Sequence, residues 1–182
     1  MALEHAILVS LTERDGSGYE LARRFDRSIG YFWPATHQQI YRVLRRMDEA
    51  GWVAHTAVAQ DGRPDKKVYR VSPAGREELT RWLAEPVEPA VLRDGLSVKL
   101  RGASLGDTAA VLREVERHRA EHAGLLEVYR GIQRRDFTKP DKLNGRELHQ
   151  YLVLRGGVRA EESFVAWCDE VIEALRSEHR HE

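Results

Sequence analysis

Between Tyr31 and Val53 the chain reads YFWPATHQQIYRVLRRMDEAGWV, and long hydrogen-bonding side chains gather there on one side of a helical pattern. Ile40, Val43, Leu44 and Met47 recur at helical spacing and form an apolar stripe. Opposite that stripe stand Gln38, Arg42 and Arg45, with Gln39 and Arg46 on one flank and Tyr41 on the other. Arginine makes paired hydrogen bonds to guanine and glutamine to adenine, so such a face has the chemistry to read base edges in a major groove. The acids of this helix, Asp48 and Glu49, are pushed to its end. A second basic group, Arg63, Lys66 and Lys67, clusters at a turn, where it suits phosphate oxygens and the release of their counterions. The plainer alternatives are a solvated helix face and a turn whose Asp61 and Asp65 pair with those bases.

Other chemistries have thinner support. HRAEH, His118 to His122, matches an inverted zinc-peptidase pattern, and histidines at i and i+4 could share a metal. It sits in an arginine- and glutamate-rich helix with no second motif to secure a third ligand, so no metal is expected. The HRHE terminus has still less to hold a geometry. Cys168 is the only cysteine and lies in SFVAWCDEVIEAL, an apolar setting that suits a structural thiol. With no Gly-rich phosphate loop and no nucleophile beside a recognisable base, neither enzyme activity nor a cofactor is expected. Trp33, Trp52, Trp82 and Trp167, with Phe32 and Tyr129, could line an effector pocket or simply fill cores and interfaces.

These residues need elements to carry them. The 182 residues are 42% hydrophobic and 32% charged, enough for a packed core with much exposed helix. Basic and acidic residues balance at 29 each, so any basic surface is local. Leu3, Ile7, Leu8 and Leu11 define a first helix, and DGSG breaks it. Ser17 with Glu20 is a capping-box spacing that opens a second helix, GYELARRFDRSIG, with Leu21 and Phe25 inward. Pro34 interrupts, Thr36 with Gln39 caps the helix from His37, and Gly51 stops it. WVAHTAVAQ and KKVYRVS then read as strands about a DGRPDK turn. Ser72 and Pro73 start a fourth helix. Three helices and a ribbon in that order make a winged helix-turn-helix.

PVEPAVLRDG reads as a linker. Beyond it Ser104 and Asp107, at capping spacing, open a helix of about seven turns. Its face would hold Leu105, Leu112, Val115, Leu126 and Tyr129. DFTKPDKLNG turns the chain into a last helix with Leu148, Leu152, Val158, Val165, Ile172 and Leu175, whose Gly156-Gly157 could mark a kink or a close crossing. Two long helices cannot enclose a core alone, and a second copy is the simplest partner. The expected fold is mainly α: a winged helix-turn-helix over 1–86, a linker and connecting segment over 87–103, and an α-helical dimerisation domain over 104–182. No apolar run is long enough to span a membrane, and MALEHAILVSL lacks a basic signal-peptide start, so the cytoplasm is expected.

SGYELARRFDRSIGYFWPATHQQIYRVLRRMDEAGWV followed by GRPDKKVYRVSPAGREELTRWLAEP resembles the PadR family of transcriptional regulators, in several motifs held in register. LRDGLSVKL and GGVRAEESFVAWCDEVIEAL are similar to its longer, dimerising members. The resemblance implies a cytoplasmic dimeric repressor on palindromic operator DNA, with a small-molecule effector in some members. It places Ser17 and Tyr19 at the DNA backbone, and Gln38, Gln39, Tyr41 and Arg42 on the recognition helix. Arg63 with Lys66 or Lys67 falls on the wing. Thr36 at the helix entry, Arg45 and Arg46 complete the DNA-binding set. Relatives often carry serine and proline where this chain has Gln38 and Arg42, so base preference does not transfer. Two recognition helices about 34 Å apart would require an inverted repeat. The competing class is a winged helix used only to bind another protein.

Overall fold

Leu3, Ile7, Leu8 and Leu11 lie along one side of α1 (Leu3–Glu13) in the computed structural model, which describes residues 3–26, 33–60, 63–89 and 94–178, less the side chains of Gln60, Arg63 and Pro64. Phe32, Asp61, the stretch 90–93 of the expected linker and the HRHE terminus lie outside the described residues. Two units, Met1–Pro89 and Ala90–Glu182, divide the chain.

In the first unit, α2 (Gly18–Phe25) and α3 (His37–Glu49) each begin with a complete capping box. The Ser17 hydroxyl accepts from the Glu20 N–H while the Glu20 carboxylate accepts from the Ser17 N–H. Thr36 and Gln39 repeat the arrangement. Reciprocal caps of this kind satisfy two otherwise orphaned donors per helix, which sets both starting points. α2 runs to Phe25, with Asp26 as C-cap, and the stretch 27–30 of the expected helix lies outside the described residues. Leu21, Phe25, Ile40, Leu44 and Met47 are fully buried with Ile7 and Leu8. Each such side chain stabilises the fold by about 1.5–3 kcal/mol.

Gly51 takes a left-handed φ of 73° immediately after α3, where a side chain would be strained, and turns the chain into the ribbon. Strands β1 (Val53–Gln60) and β2 (Arg63–Val71) pair antiparallel from Val53↔Val71 to Gln60↔Arg63, with an irregularity between Val58 and Gln60. The turn is therefore narrower than DGRPDK suggested. A proline at position 64 is tolerated because each strand of a two-stranded ribbon has a free edge. Helix α4 (Pro73–Leu83) starts from the Ser72 cap and packs Leu79 into the same core. Its Gly75 leaves no room for a side chain, since an added Cβ would stand 2.9 Å from the Trp52 carbonyl carbon and nearer still to its oxygen.

The second unit starts with α5 (Gly95–Arg101), capped by Asp94, inside the segment expected to be a connector. Leu96 of α5 is buried with Val115, Cys168 and Ile172, which explains why it folds as a helix here. Asp107 alone caps α6 (Thr108–Asp136); Ser104 and Leu105 belong to a short 3-10 turn before it. Leu105 is correspondingly 92% exposed rather than part of the α6 face. α7 (Gly145–Glu178) returns antiparallel to α6, as shown by cross-links Arg130–Glu162, Arg119–Asp169 and Glu116–Arg176. Gly157 marks a close crossing: an added Cβ would meet Tyr129 Cε2 at 2.9 Å. Leu152, one of the apolar residues of α7, is exposed.

Candidate nucleic-acid interface

Helices α2 and α3 touch near both ends of α2. Gly18, at the first position of α2, lies against the Tyr41 ring, where an added Cβ would be 2.7 Å from Cδ1. That proximity lets the two helices cross closely. Near the other end, His37 Nε2 lies 3.0 Å from Asp26 Oδ2. The Arg24 guanidinium donates to the carbonyls of Ser10 and Arg14 at 2.7 and 2.6 Å, closing the end of α1. Burial lowers the pKa of Arg24, but a guanidinium stays charged at any pH relevant here.

With Ile40, Val43, Leu44 and Met47 inward, the outer face of α3 is fixed by helical geometry. Gln38, Arg42 and Arg45 are exposed at spacings of four and three residues, so they share one stripe. Gln38 and Arg42 have no hydrogen bond or ion pair with any described residue. Arg45 has only a 3.6 Å approach to Glu49, with most of its side chain in solvent. Tyr41 is half-exposed beside them.

The remaining sequence-selected residues differ in their freedom. The Ser17 hydroxyl is buried within its cap, and Thr36 and Gln39 are joined in theirs, although the Gln39 amide nitrogen makes no bond within it. Arg46 is paired with the nearly buried Glu4 of α1, so it fastens α3 to α1. Lys66 is paired with Glu20 at 2.8 Å, whereas Lys67 is exposed with no partner among the described residues. Tyr19 is exposed at the start of α2. Arg63 closes the wing, and its side chain is outside the described part. One residue escaped sequence reasoning: Arg23, whose guanidinium lies 5.9 Å from the Tyr19 ring centre and donates to its hydroxyl at 3.4 Å. The i,i+4 spacing of an aromatic and an arginine was the signal available for it.

The histidine pair of HRAEH is engaged in packing. His122 hydrogen-bonds Glu161 and lies 4.0 Å, centre to centre, from Phe164, and no metal-binding cluster occurs among the described residues. Cys168 is fully buried, and burial pushes its thiol pKa up. Trp52, Trp82 and Trp167 pack against cores; Trp82 also stacks on His5 at 4.4 Å.

A helix-turn-helix with an outward second helix, followed by a two-stranded ribbon, is the architecture of winged-helix DNA-binding regulators. Residues 7–81 match the transcriptional regulator PadR-like family, and residues 92–176 match the virulence activator alpha C-terminal family. A probable transcriptional regulator of Mycobacterium tuberculosis is 60% identical, covering 97% of this chain and 98% of its own. The virulence activator AphA of Vibrio cholerae has a similar structure, with a TM-score of 0.80 and 32% identity over 96% of this chain and 98% of that one. The negative transcriptional regulator PadR of Bacillus subtilis is 25% identical over 93% of this chain and 95% of its own. Its structure with operator DNA has a TM-score of 0.84 at 24% identity, spanning 96% of this chain and 99% of that chain. This chain belongs to the PadR-like family of transcriptional regulators, a non-enzymatic class.

Proposed function

We propose that the protein is a dimeric repressor that binds an inverted-repeat operator through α3 and the wing, and that a small-molecule effector releases it. The observation that carries the reading is the outward stripe Gln38, Arg42 and Arg45, opposite a fully buried stripe on the second helix of a helix-turn-helix. In this reading Gln38, Arg42 and Arg45 reach base edges, with Gln39 and Tyr41 beside them. Tyr19 with Arg23 and the wing's Lys67 and Arg63 meet phosphates. Ser17 and Thr36 hold the two helix entries in place, and Arg46 and Lys66 act through the pairs that occupy them. Residues 1–86 are the DNA-binding domain, and the helices of the second unit form the dimerisation domain. The exposed Val98, Leu105, Leu152 and Val153 of that unit support a partner surface there. Repression follows when the bound dimer occludes polymerase. Solved structures of Bacillus subtilis PadR in complex with operator DNA and with p-coumaric acid support the reading that a relative of this fold takes both DNA and a small molecule. A cytoplasmic location fits this role, and no described helix is long and apolar enough to cross a membrane.

The test is fluorescence anisotropy of the purified protein on duplexes selected from genomic DNA, against scrambled duplexes, across a salt series. Arg42→Ala and Arg45→Ala should each weaken specific binding by about 1–3 kcal/mol and relax preference at one base position. Specific binding unchanged by both substitutions would remove these arginines as readers. Selection that enriches no sequence would favour a winged helix that binds a protein partner instead.

A further inference from the structure

Strand β2 of the wing meets the start of the helix-turn-helix at two places, while at the wing's root His55 of β1 lies 2.9 Å from Asp48 of α3. The Gly16 N–H donates to the Tyr69 carbonyl at 3.1 Å, and the Tyr69 N–H to the Gly16 carbonyl at 2.9 Å, so the turn before α2 lines the second edge of β2. Three residues nearer the tip, Lys66 Nζ donates to Glu20 Oε1 at 2.8 Å. The other oxygen of that carboxylate accepts from the Ser17 N–H at 2.8 Å and from its hydroxyl at 3.0 Å. One carboxylate thus closes the cap of α2 and grips the wing. The Lys66 hydrogen bond, then the Ser17 N–H, lowers its pKa to about 2.

The two attachments differ in leverage. From Tyr69 to Arg63 the strand extends about 20 Å. A rotation of about 10° at the Tyr69 bridge would carry the tip through about 3.5 Å, more than a hydrogen bond tolerates. The Lys66–Glu20 pair, farther out, resists that rotation. Lys66 and Lys67 are neighbours on a strand and point to opposite faces of the ribbon. Lys66 is half-buried against α2, while Lys67 is exposed.

We propose that Glu20 and Lys66 are positioning residues that set the wing's angle to the α2–α3 pair, and that Lys67, not Lys66, delivers charge to the phosphate backbone. An ammonium already held by a carboxylate must break that pair before it meets a phosphate, whereas Lys67 has no such partner among the described residues. The proposal rests on the DNA-binding reading above.

The experiment compares full-length wild type with Glu20→Gln, Lys66→Gln, the double variant and Lys67→Gln, on the selected operator duplex and on a scrambled one, across salt. Glutamine at position 20 still closes the capping box, so this variant removes the charge pair and keeps the helix start. Urea unfolding of each variant checks that the fold is retained. Glu20→Gln and Lys66→Gln should each lower the operator-to-scrambled affinity ratio about two- to fivefold, the range of a partly exposed ion pair. The double variant should be no worse than either single one, and the salt slope should stay at its wild-type value in all three. Lys67→Gln should leave the ratio unchanged and flatten the slope by about 0.9, one released counterion. The proposal is overturned if Lys66→Gln flattens the slope as Lys67→Gln does, or if Glu20→Gln strengthens operator binding by freeing Lys66. A wild-type protein that does not distinguish the two duplexes would instead overturn the DNA-binding reading, and this proposal with it.

Discussion

Gly18→Ala should destabilise the first unit, and the sign of its effect should depend on Tyr41. An added Cβ at position 18 would stand 2.7 Å from Tyr41 Cδ1, and closer to Cε1, against an ordinary contact of 3.4 Å or more. The ring must withdraw by roughly 1 Å, which either rotates Tyr41 outward or pries α2 from α3; overpacking of this kind costs about 1–3 kcal/mol. Working the other way, alanine is the better helix former, by at most about 1 kcal/mol. The net loss expected in the wild-type background is therefore about 1–2 kcal/mol. In a Tyr41→Ala background nothing opposes the methyl group, and the same substitution should be neutral or stabilising by up to about 1 kcal/mol. The assay is urea unfolding followed by tryptophan fluorescence in a Trp167→Phe chain, leaving Trp33, Trp52 and Trp82 to report on the first unit. Equal m-values would show that the change lies in stability and not in the compactness of either state. If Gly18→Ala has the same effect in both backgrounds within about 0.5 kcal/mol, the Gly18–Tyr41 approach does not control the crossing, and the reasoning fails.

Three further outcomes are expected. Glu20 moves from an ordinary pKa of 4.5 to about 2 on folding, so its contribution is complete above pH 4.5 and disappears as pH falls through about 2. Because the side chain is nearly half-exposed, solvent screening limits that contribution to about 1 kcal/mol at most; wild type and Glu20→Gln unfolding energies should converge over this window, and parallel curves would remove the pair. Gly157→Ala should lower the unfolding temperature of the second unit, since its Cβ would meet the buried Tyr129 ring, while Gly156→Ala, with open space at its Cβ, should be neutral or stabilising by about 0.5–1 kcal/mol; equal shifts in a thermal scan would count against a close crossing. Cys168 should resist a chromogenic disulfide reagent until the chain unfolds, and Cys168→Ser should cost about 1–3 kcal/mol by placing a hydroxyl among Leu96, Val115 and Ile172; rapid labelling of native protein would contradict its burial.

What the sequence revealed was mostly what short-range physics decides. Both capping boxes, the inward Leu21 and Phe25, and the Ser72–Pro73 helix start are written within a few neighbouring residues. The α3 stripe was legible for the same reason, because helical spacing alone separates Ile40 and Leu44 from Gln38 and Arg42. Misreadings arose where two local signals competed. Ser104 and Asp107 both satisfy a cap pattern, but Ser104 is taken into a 3-10 turn and Asp107 accepts the cap bond from the Ala110 N–H. Pairings across long sequence separations were invisible. Glu4 lies 42 residues from Arg46, and Glu20 lies 46 from Lys66, and neither acid announces which base it will meet. Those two pairs separate the basic residues that fasten elements together from those that remain available, a distinction composition cannot draw.

That distinction limits what one protomer can do on DNA. With Arg46 and Lys66 engaged, the base-reading set of the proposed interface reduces to Gln38, Arg42 and Arg45, with Gln39 and Tyr41 beside them. Two or three good contacts, each worth about 1–3 kcal/mol of discrimination, supply roughly 2–9 kcal/mol. A genome offers about a million to a billion competing sites, and overcoming a millionfold excess takes roughly 8 kcal/mol. One recognition helix reaches that only at its upper limit, whereas two, with roughly 4–18 kcal/mol, reach it over most of their range. On the proposed reading, the energetics favour a second copy, for which the exposed apolar residues of the C-terminal unit offer a surface. The same balance leaves room for release, because an effector that prevents one head from engaging removes half of the discrimination without altering a single contact in the other. Whether occupancy represses or activates then depends on where the operator lies relative to the promoter. That is consistent with a family fold shared by a negative regulator of Bacillus subtilis and a virulence activator of Vibrio cholerae.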